Sequence, residues 1–428
     1  MTATGSAPDA VVVGAGVAGA TVAALLSARG ASVVVLESGH DDPLPPSTWP
    51  DPSGGATAPV SGAPAAGRYV VGTGPGGGSR INGQLLSFGL VGDYEEWNGG
   101  WDGVLRRFDS LNVPSDSVPD RMWAGVDRVL ASQLESIAVA RDDGWWRNGC
   151  SGTWGPARYA WSRATRTTTW RGLTDSVPLR AGVRVSKVLV DAGRVTGVEL
   201  RDGAKVRARR VVLCAGAAAT PAVLAASGVP VRGAARDHPA VAIPVRPSNA
   251  IPPEAHCAIA ARLDVREPGD LLVSTWTAID GASAAIFVSA TSGPHGSVGA
   301  DGRPSLVVGE GHLDVLEAGL RVALAAIGSG IATGDLVDAP LDGGATSAAE
   351  LRSSSTAGRR TWIGRQIGGH WHLACTAAGS VDDRGAVHGA TGLWIADASA
   401  LPSLPRSGPM ASVMAMAASV AEAVAMAG

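Results

Sequence analysis

Residues 10–37, AVVVGAGVAGATVAALLSARGASVVVLE, constrain the fold more than any other stretch. An apolar strand runs into glycines, then a small-residue helix, then a second apolar strand that stops at Glu37. Gly14, Gly16 and Gly19 hold the G-x-G-x-x-G spacing, which serves a tight turn, close approach of backbone to a pyrophosphate, and close packing of helix on strand. The helix opens at the turn, so its unpaired N–H groups and dipole aim at phosphates. Glu37, eighteen residues past Gly19, is placed to accept hydrogen bonds from both ribose hydroxyls, and its charge argues against a 2′-phosphate. The stretch reads as a dinucleotide site in an α/β, doubly wound parallel sheet. It leaves NAD and FAD both open.

Charge narrows the partners. A formal charge of −3 supplies no basic footprint for nucleic acid and no polybasic patch for an acidic membrane, so small molecules are indicated. Cys150, Cys214, Cys257 and Cys375 are scattered without metal spacing and read as free thiols of a reducing compartment. No charged leader precedes the first strand, and cytoplasmic is the expected location. The apolar run 410–427 contains Glu422 and much alanine, so a buried helix is expected there, not a membrane span.

Along the chain, 41–67 is rich in Pro, Gly, Ser and Ala and reads as a loop. The next segment, RYVVGTGPGGGSRINGQ, carries Gly76, Gly77, Ser79 and Asn82 and reads as backbone closing over a ligand. Residues 93–108 pattern as two short helices around Gly99 and Gly100, with Asp102 a candidate cap. Trp145, Trp146, Trp154, Trp161 and Trp170 read equally as packing or as an aromatic wall beside a substrate. Residues 183–216 predict an antiparallel meander returning to a buried strand at 211–215, with a helix at 221–226. Residues 240–360 suggest a separate antiparallel sheet with one helix. Near the end, GLWIADASALP predicts a buried strand stopping at Asp397, a residue open to two readings, ligand holder or helix cap.

Four blocks in order now carry a resemblance. They are the fingerprint with Glu37; GTGPGGGSRINGQLLSFGLVGDYEEW; GAAATPAVLAASGV followed by Asp237-His238-Pro239; and WHLACT through GLWIADASALPSLP. With them the chain resembles the glucose–methanol–choline (GMC) oxidoreductases, FAD-dependent alcohol oxidases and dehydrogenases. The resemblance implies an FAD-binding Rossmann-like domain built from 1–110, 183–240 and 361–428, and a smaller substrate-side antiparallel-sheet domain from 111–182 and 241–360. It implies FAD over NAD, with Gly14, Gly16, Gly19 and Glu37 on the ADP half and Val185 meeting adenine through its backbone. Gly76, Gly77, Ser79 and Asn82 would follow the diphosphate and flavin, and Asp397 and Ala398 the ribitol and pyrimidine edge. Ile81 stands where some members tether FAD to a histidine, so noncovalent FAD is expected.

The resemblance makes His372 the base that takes an alcohol proton while carbon gives hydride to flavin. His370 is its neighbour on the same face if the segment is extended. Where the family carries a second His or Asn, counting back from the terminal helix gives Met410, which has no donor, leaving His370 or Arg406 for that work. Oxidation of an alcohol-type donor is therefore expected, with the electron acceptor (oxygen, quinone or a redox cofactor) unspecified. Two alternatives accompany it: a flavin-binding partner without turnover, and a member of the similar mycofactocin-associated subgroup that reoxidises a redox cofactor and feeds respiration.

Overall fold

The computed structural model describes residues 7–44, 55–62, 69–174, 176–251, 257–277, 283–292, 296–341 and 346–427. The fingerprint folds as strand β1 (Ala10–Val13), helix α1 (Val17–Ala28) and strand β2 (Val33–Leu36). Among the described residues the sheet around them has five parallel strands, in the order Leu179–Arg180, β2, β1, Val211–Leu213 and Leu393–Ile395. Parallel strands covered on both faces must be apolar throughout, and VVV, VVL and LWI are. The meander forms as expected from Val185–Asp191, Arg194–Leu200 and Lys205–Arg207, and the chain then re-enters the parallel sheet at Val211. Helix Thr220–Ala226 follows with Pro221 in its first turn, where a missing N–H costs nothing.

The second sheet is almost wholly antiparallel, with Pro239–Pro247, Ala284–Ala290, Leu271–Thr277, Ile259–Leu263 and Thr153–Pro156 as successive neighbours. Helix Glu310–Thr333 packs on it through Val315, Leu316, Leu320, Ala323 and Ile327. This helix is long and apolar enough to cross a membrane, but its apolar side forms the core of the sheet layer, the role such a helix plays inside a globular protein. The terminal helix (Met410–Met426) is buried in the first core beside α1. All four cysteines are free, and three are buried.

Three local expectations are corrected. Where one helix is expected in 240–360, Ala348–Ser353 and Thr356–Gln366 follow Glu310–Thr333, their starts fixed by the side-chain caps Ser347 and Ser355. Within 41–67, residues 45–54 and 63–67 lie outside the described residues, but Gly55–Ala58 is a strand paired with Tyr69–Gly72, not loop. Backbone pairing to a β-prone Tyr-Val-Val partner overrides the weak propensity of small residues. Asp102 does not cap its helix: Gly99, with φ +80°, turns the chain so that the helix begins at Gly100 and Asp102 falls in its first turn. There the carboxylate still opposes the positive end of the helix dipole.

Candidate active site

At the carboxyl end of β1 the chain turns at Gly14, with φ +102°, and a Cβ there would lie 2.3 Å from the Cys214 carbonyl oxygen. The first turn of α1 holds no acidic residue and its N-cap, Gly16, offers no side chain, so the leading N–H groups have no side-chain acceptor. The second glycine loop closes over this terminus: the Gly76 N–H donates to the Ala15 carbonyl at 2.7 Å, and a Cβ on Gly77 would stand 2.8 Å from the Gly16 Cα. The result is a cradle of bare backbone that fits a pyrophosphate. Glu37 is buried at the end of β2, its Oε2 accepting the Ala15 N–H at 2.8 Å and its Oε1 the N–H groups of Gly39 (2.8 Å) and Gly74 (3.2 Å). These bonds nearly fill Oε1 and leave Oε2, with one partner, the oxygen with spare acceptor capacity.

Val185 is buried at the start of the meander, just past Val183, whose N–H donates to the Glu37 carbonyl. Ser79 is fully buried; its hydroxyl donates to the Gly76 carbonyl at 2.7 Å and accepts the Thr169 N–H at 3.0 Å, which fixes the glycine loop. Asp397 takes the cap role of its two sequence readings. It caps the short turn Ala398–Ala400 through the Ser399 N–H (2.9 Å), and its other oxygen takes the Gly216 N–H (2.8 Å) and the Thr220 hydroxyl (2.5 Å). Burial raises its pKa and these four bonds, counting the Ser399 hydroxyl, pull it back. Its side chain thus joins two strand ends, and Ala398 after it opens the short turn and accepts the Cys375 N–H through its carbonyl.

The histidines meet because two distant segments zip together. Residues 236–240 run antiparallel to 368–374: Arg236 and Ala374 exchange backbone bonds, the His370 N–H donates to the His238 carbonyl, and Pro239 faces Gly369. Trp371, with φ +56° and its side chain exposed, separates His370 from His372, whose rings lie 5.1 Å apart. The shared face expected for an extended segment is reached with this kink. His238 is buried with its Nδ1 3.1 Å from Nδ1 of His372. Below both, Asp237 Oδ1 accepts the backbone N–H of His238 and of His372, each at 2.7 Å. Burial pushes the Asp237 carboxyl up to about 7 against those two bonds. Burial lowers His370 to about 4, where its Nε2 meets the Ser289 hydroxyl at 2.6 Å. His372 is lowered well below the ordinary histidine value by burial, then by His370 and His238. Both rings are therefore neutral at physiological pH.

The geometry moves the second catalytic position. Met410 Sδ accepts from the Asn82 amide at 3.4 Å, and two residues earlier a Cβ on Gly408 would lie 3.9 Å from His372 Cε1. Arg406 is no substitute donor: it pairs with Asp93 (2.6 Å) and Glu267 (3.4 Å). The tryptophans of 145–170 divide among packing roles, Trp154 in the second core and Trp146, Trp161 and Trp170 against the first. The aromatic rings beside the histidines come from the antiparallel sheet instead: Phe287 lies 5.8 Å from His370, and Trp276 6.1 Å from Phe287. Their alternation in strand segments was legible, their direction was not. Trp276 also packs against Gly83, next to Asn82.

Comparison with known proteins agrees with this geometry. The N-terminal GMC oxidoreductase model matches residues 8–242 and the C-terminal GMC oxidoreductase model residues 303–417. A 5-(hydroxymethyl)furfural oxidase of Methylovorus sp. (strain MP688) is 27% identical, covering 97% of this chain and 98% of its own. The crystal structure of pyridoxine 4-oxidase from Mesorbium loti superposes with a TM-score of 0.80 at 20% identity, over 97% of this chain and 99% of that one. A formate oxidase of Aspergillus oryzae RIB40, studied for modification of its FAD, gives 0.81 at 16% identity over 99% of both chains. With both family models matched in order around a cradle that fits a dinucleotide, this chain belongs to the GMC oxidoreductases, as an FAD-binding oxidoreductase.

Proposed function

We propose that this chain oxidises a primary hydroxymethyl group carried on a flat aromatic or heteroaromatic ring, with His372 as the base and noncovalent FAD as hydride acceptor. The observation that carries the reading is the row of rings Trp276, Phe287, His370 and His372, each within 6.1 Å of the next, running from the antiparallel sheet to the histidines. The rings are inclined to one another by 66°, 68° and 39°, so a planar substrate meets them edge to face and brings its hydroxymethyl arm to His372. The relatives support this class, since they include the hydroxymethylfurfural oxidase, pyridoxine 4-oxidase and a fungal aryl-alcohol oxidase.

In this reading Gly14, Gly16, Gly19 and Glu37 hold the ADP half of FAD, and Val185 borders adenine. Gly76, Gly77, Ser79 and Asn82 line the diphosphate and flavin, and Asp397 and Ala398 the ribitol and pyrimidine edge. When bound, the flavin supplies the two-electron acceptor. His372 takes the hydroxyl proton, and His370, held by Ser289, orients the substrate oxygen. Ile81 has no nucleophile with which to tether the cofactor.

The test is anaerobic bleaching of bound flavin across an alcohol panel, followed by reoxidation with oxygen, quinone or dye. Aryl-methanols should bleach it and short aliphatic alcohols should not; the reverse order would sink the substrate class. Phe287→Ala should raise KM for aryl-methanols roughly 2- to 12-fold, corresponding to ~0.5–1.5 kcal/mol of ring contact, and leave flavin content unchanged.

A further inference from the structure

We infer that His238 sets the tautomer of His372, keeping its proton on Nδ1 so that Nε2 presents a bare lone pair to the substrate. The inference deepens the reading of His372 as base and rests on it. Two facing Nδ1 atoms at 3.1 Å share one proton when both rings are neutral, because each neutral imidazole has one donor and one acceptor. Which ring owns that proton is decided at the far side of His238.

His238 Nε2 is buried and without a hydrogen-bond partner, its Nδ1 being the nitrogen that meets His372, and the Thr291 backbone acts on the ring in the sense that favours its protonation. The Thr291 N–H is already given to the Asp270 carbonyl at 2.8 Å, so what Thr291 turns to the ring is an acceptor. Two lone pairs facing each other there would repel, and a proton on Nε2 removes the conflict. A neutral His238 protonated on Nε2 has a bare Nδ1, which accepts from His372 Nδ1–H. The remaining nitrogen of His372, Nε2, is then unprotonated.

The arrangement is held rigidly. Asp237 Oδ1 ties down the backbone N–H of both residues at 2.7 Å, and the two rings meet edge to face at 87°. The titratable groups that face His238 are His372 and His370 from the 368–374 segment and Asp237 from its own, with Tyr69 beyond the Asp237 carboxyl. Burial and His370 lower His238 to about 3, which keeps it neutral while it accepts. In the step itself the substrate O–H bond breaks and its proton goes to His372 Nε2. The Nδ1–H···Nδ1 bond persists and becomes charge-assisted as His372 turns cationic. His238 acts only through His372, as a positioning residue.

The experiment is nitrogen-15 NMR of histidine-labelled holoenzyme, with the His372 ring assigned by its disappearance in His372→Gln. The expected result, between pH 6 and 9, is a protonated Nδ1 and a bare Nε2; a proton on Nε2 in the wild-type protein overturns the inference without any variant. His238→Phe, checked for unchanged FAD content, should shift His372 toward the Nε2–H form and slow flavin reduction by about 10²–10⁴-fold. An unchanged tautomer in that variant also overturns it. If His372→Gln reduces flavin as fast as wild type, the base reading falls and takes this inference with it. A slow His372→Gln combined with the wrong wild-type tautomer sinks this inference alone.

Discussion

With His372 replaced by glutamine, the purified protein is expected to stay yellow and to lose anaerobic flavin reduction by about 10²–10⁴-fold. Glutamine keeps the backbone N–H that Asp237 holds, so the antiparallel pairing of 236–240 with 368–374 survives. It cannot take a proton. The glycine cradle at α1 is built from other segments and should keep its cofactor. Stopped-flow absorbance of the flavin decides the matter, and reduction at the wild-type rate would remove His372 from the chemistry. In the wild type the sign of the pH dependence follows from the lowered pKa. His372 is already neutral at physiological pH, so the rate should be level upward from about pH 6 and fall only as acid protonates the ring.

The same groups shape acid stability in opposite directions. His238 takes a proton near 6.5 when unfolded but only near about 3 when folded, so below 6.5 the unfolded chain binds more protons and stability falls with pH. The slope is ~1.4 kcal/mol per pH unit for a fully displaced group. Asp237 shifts from 3.8 unfolded to about 7 folded, so the folded state binds more protons as pH falls from 7 toward 4, and that ring's loss is offset. Asp237→Asn removes the offset. Denaturant titrations should therefore give the variant a steeper decline than wild type between pH 6.5 and 4; equal slopes would show that Asp237 is ionised throughout.

Gly19→Val is expected to give colourless or insoluble protein. A Cβ at Gly19 would lie 1.9 Å from the Gly14 carbonyl oxygen and 3.4 Å from the Cys214 side chain, and the obstructing oxygen belongs to the turn itself. To make room, α1 must lift from β1, which draws its N-terminus away from the phosphates. The overpacking alone costs on the order of 1–3 kcal/mol, and the lost cofactor withdraws further stabilisation by mass action. Gly364→Ala is the control, since nothing lies within 4 Å of a Cβ there. Flavin absorbance per mole of protein separates the two variants. A soluble Gly19→Val protein with full flavin content would contradict the close packing of α1 on β1.

Much of the architecture was legible because its signals are local. The apolar runs at 10–13, 33–36, 211–213 and 393–395 became neighbours in one parallel sheet, and the turns at 191–193 and 203 delimited the meander. The candidate site was legible only where a motif names a residue. Asp237 and His238 were visible as a likeness to the family, but their contact with His372 depends on register between segments more than 130 residues apart. Ser289 and Phe287 face the histidines because of strand direction in the second sheet, which alternation alone leaves ambiguous. Gly408 carries no signal of its proximity to His372, since a glycine has no side chain to mark it.

The strand order of the parallel sheet also dictates when this protein can become itself during synthesis. Val211–Leu213 must leave one edge unpaired until Leu393–Ile395 emerges some 180 residues later, and the helix that packs beside α1 follows that strand in the chain. Over that stretch of translation the nascent chain therefore carries an open apolar edge, a template for wrong pairing with other chains. Such distant closure predicts slow folding, with the parallel sheet complete only once Leu393–Ile395 has been made.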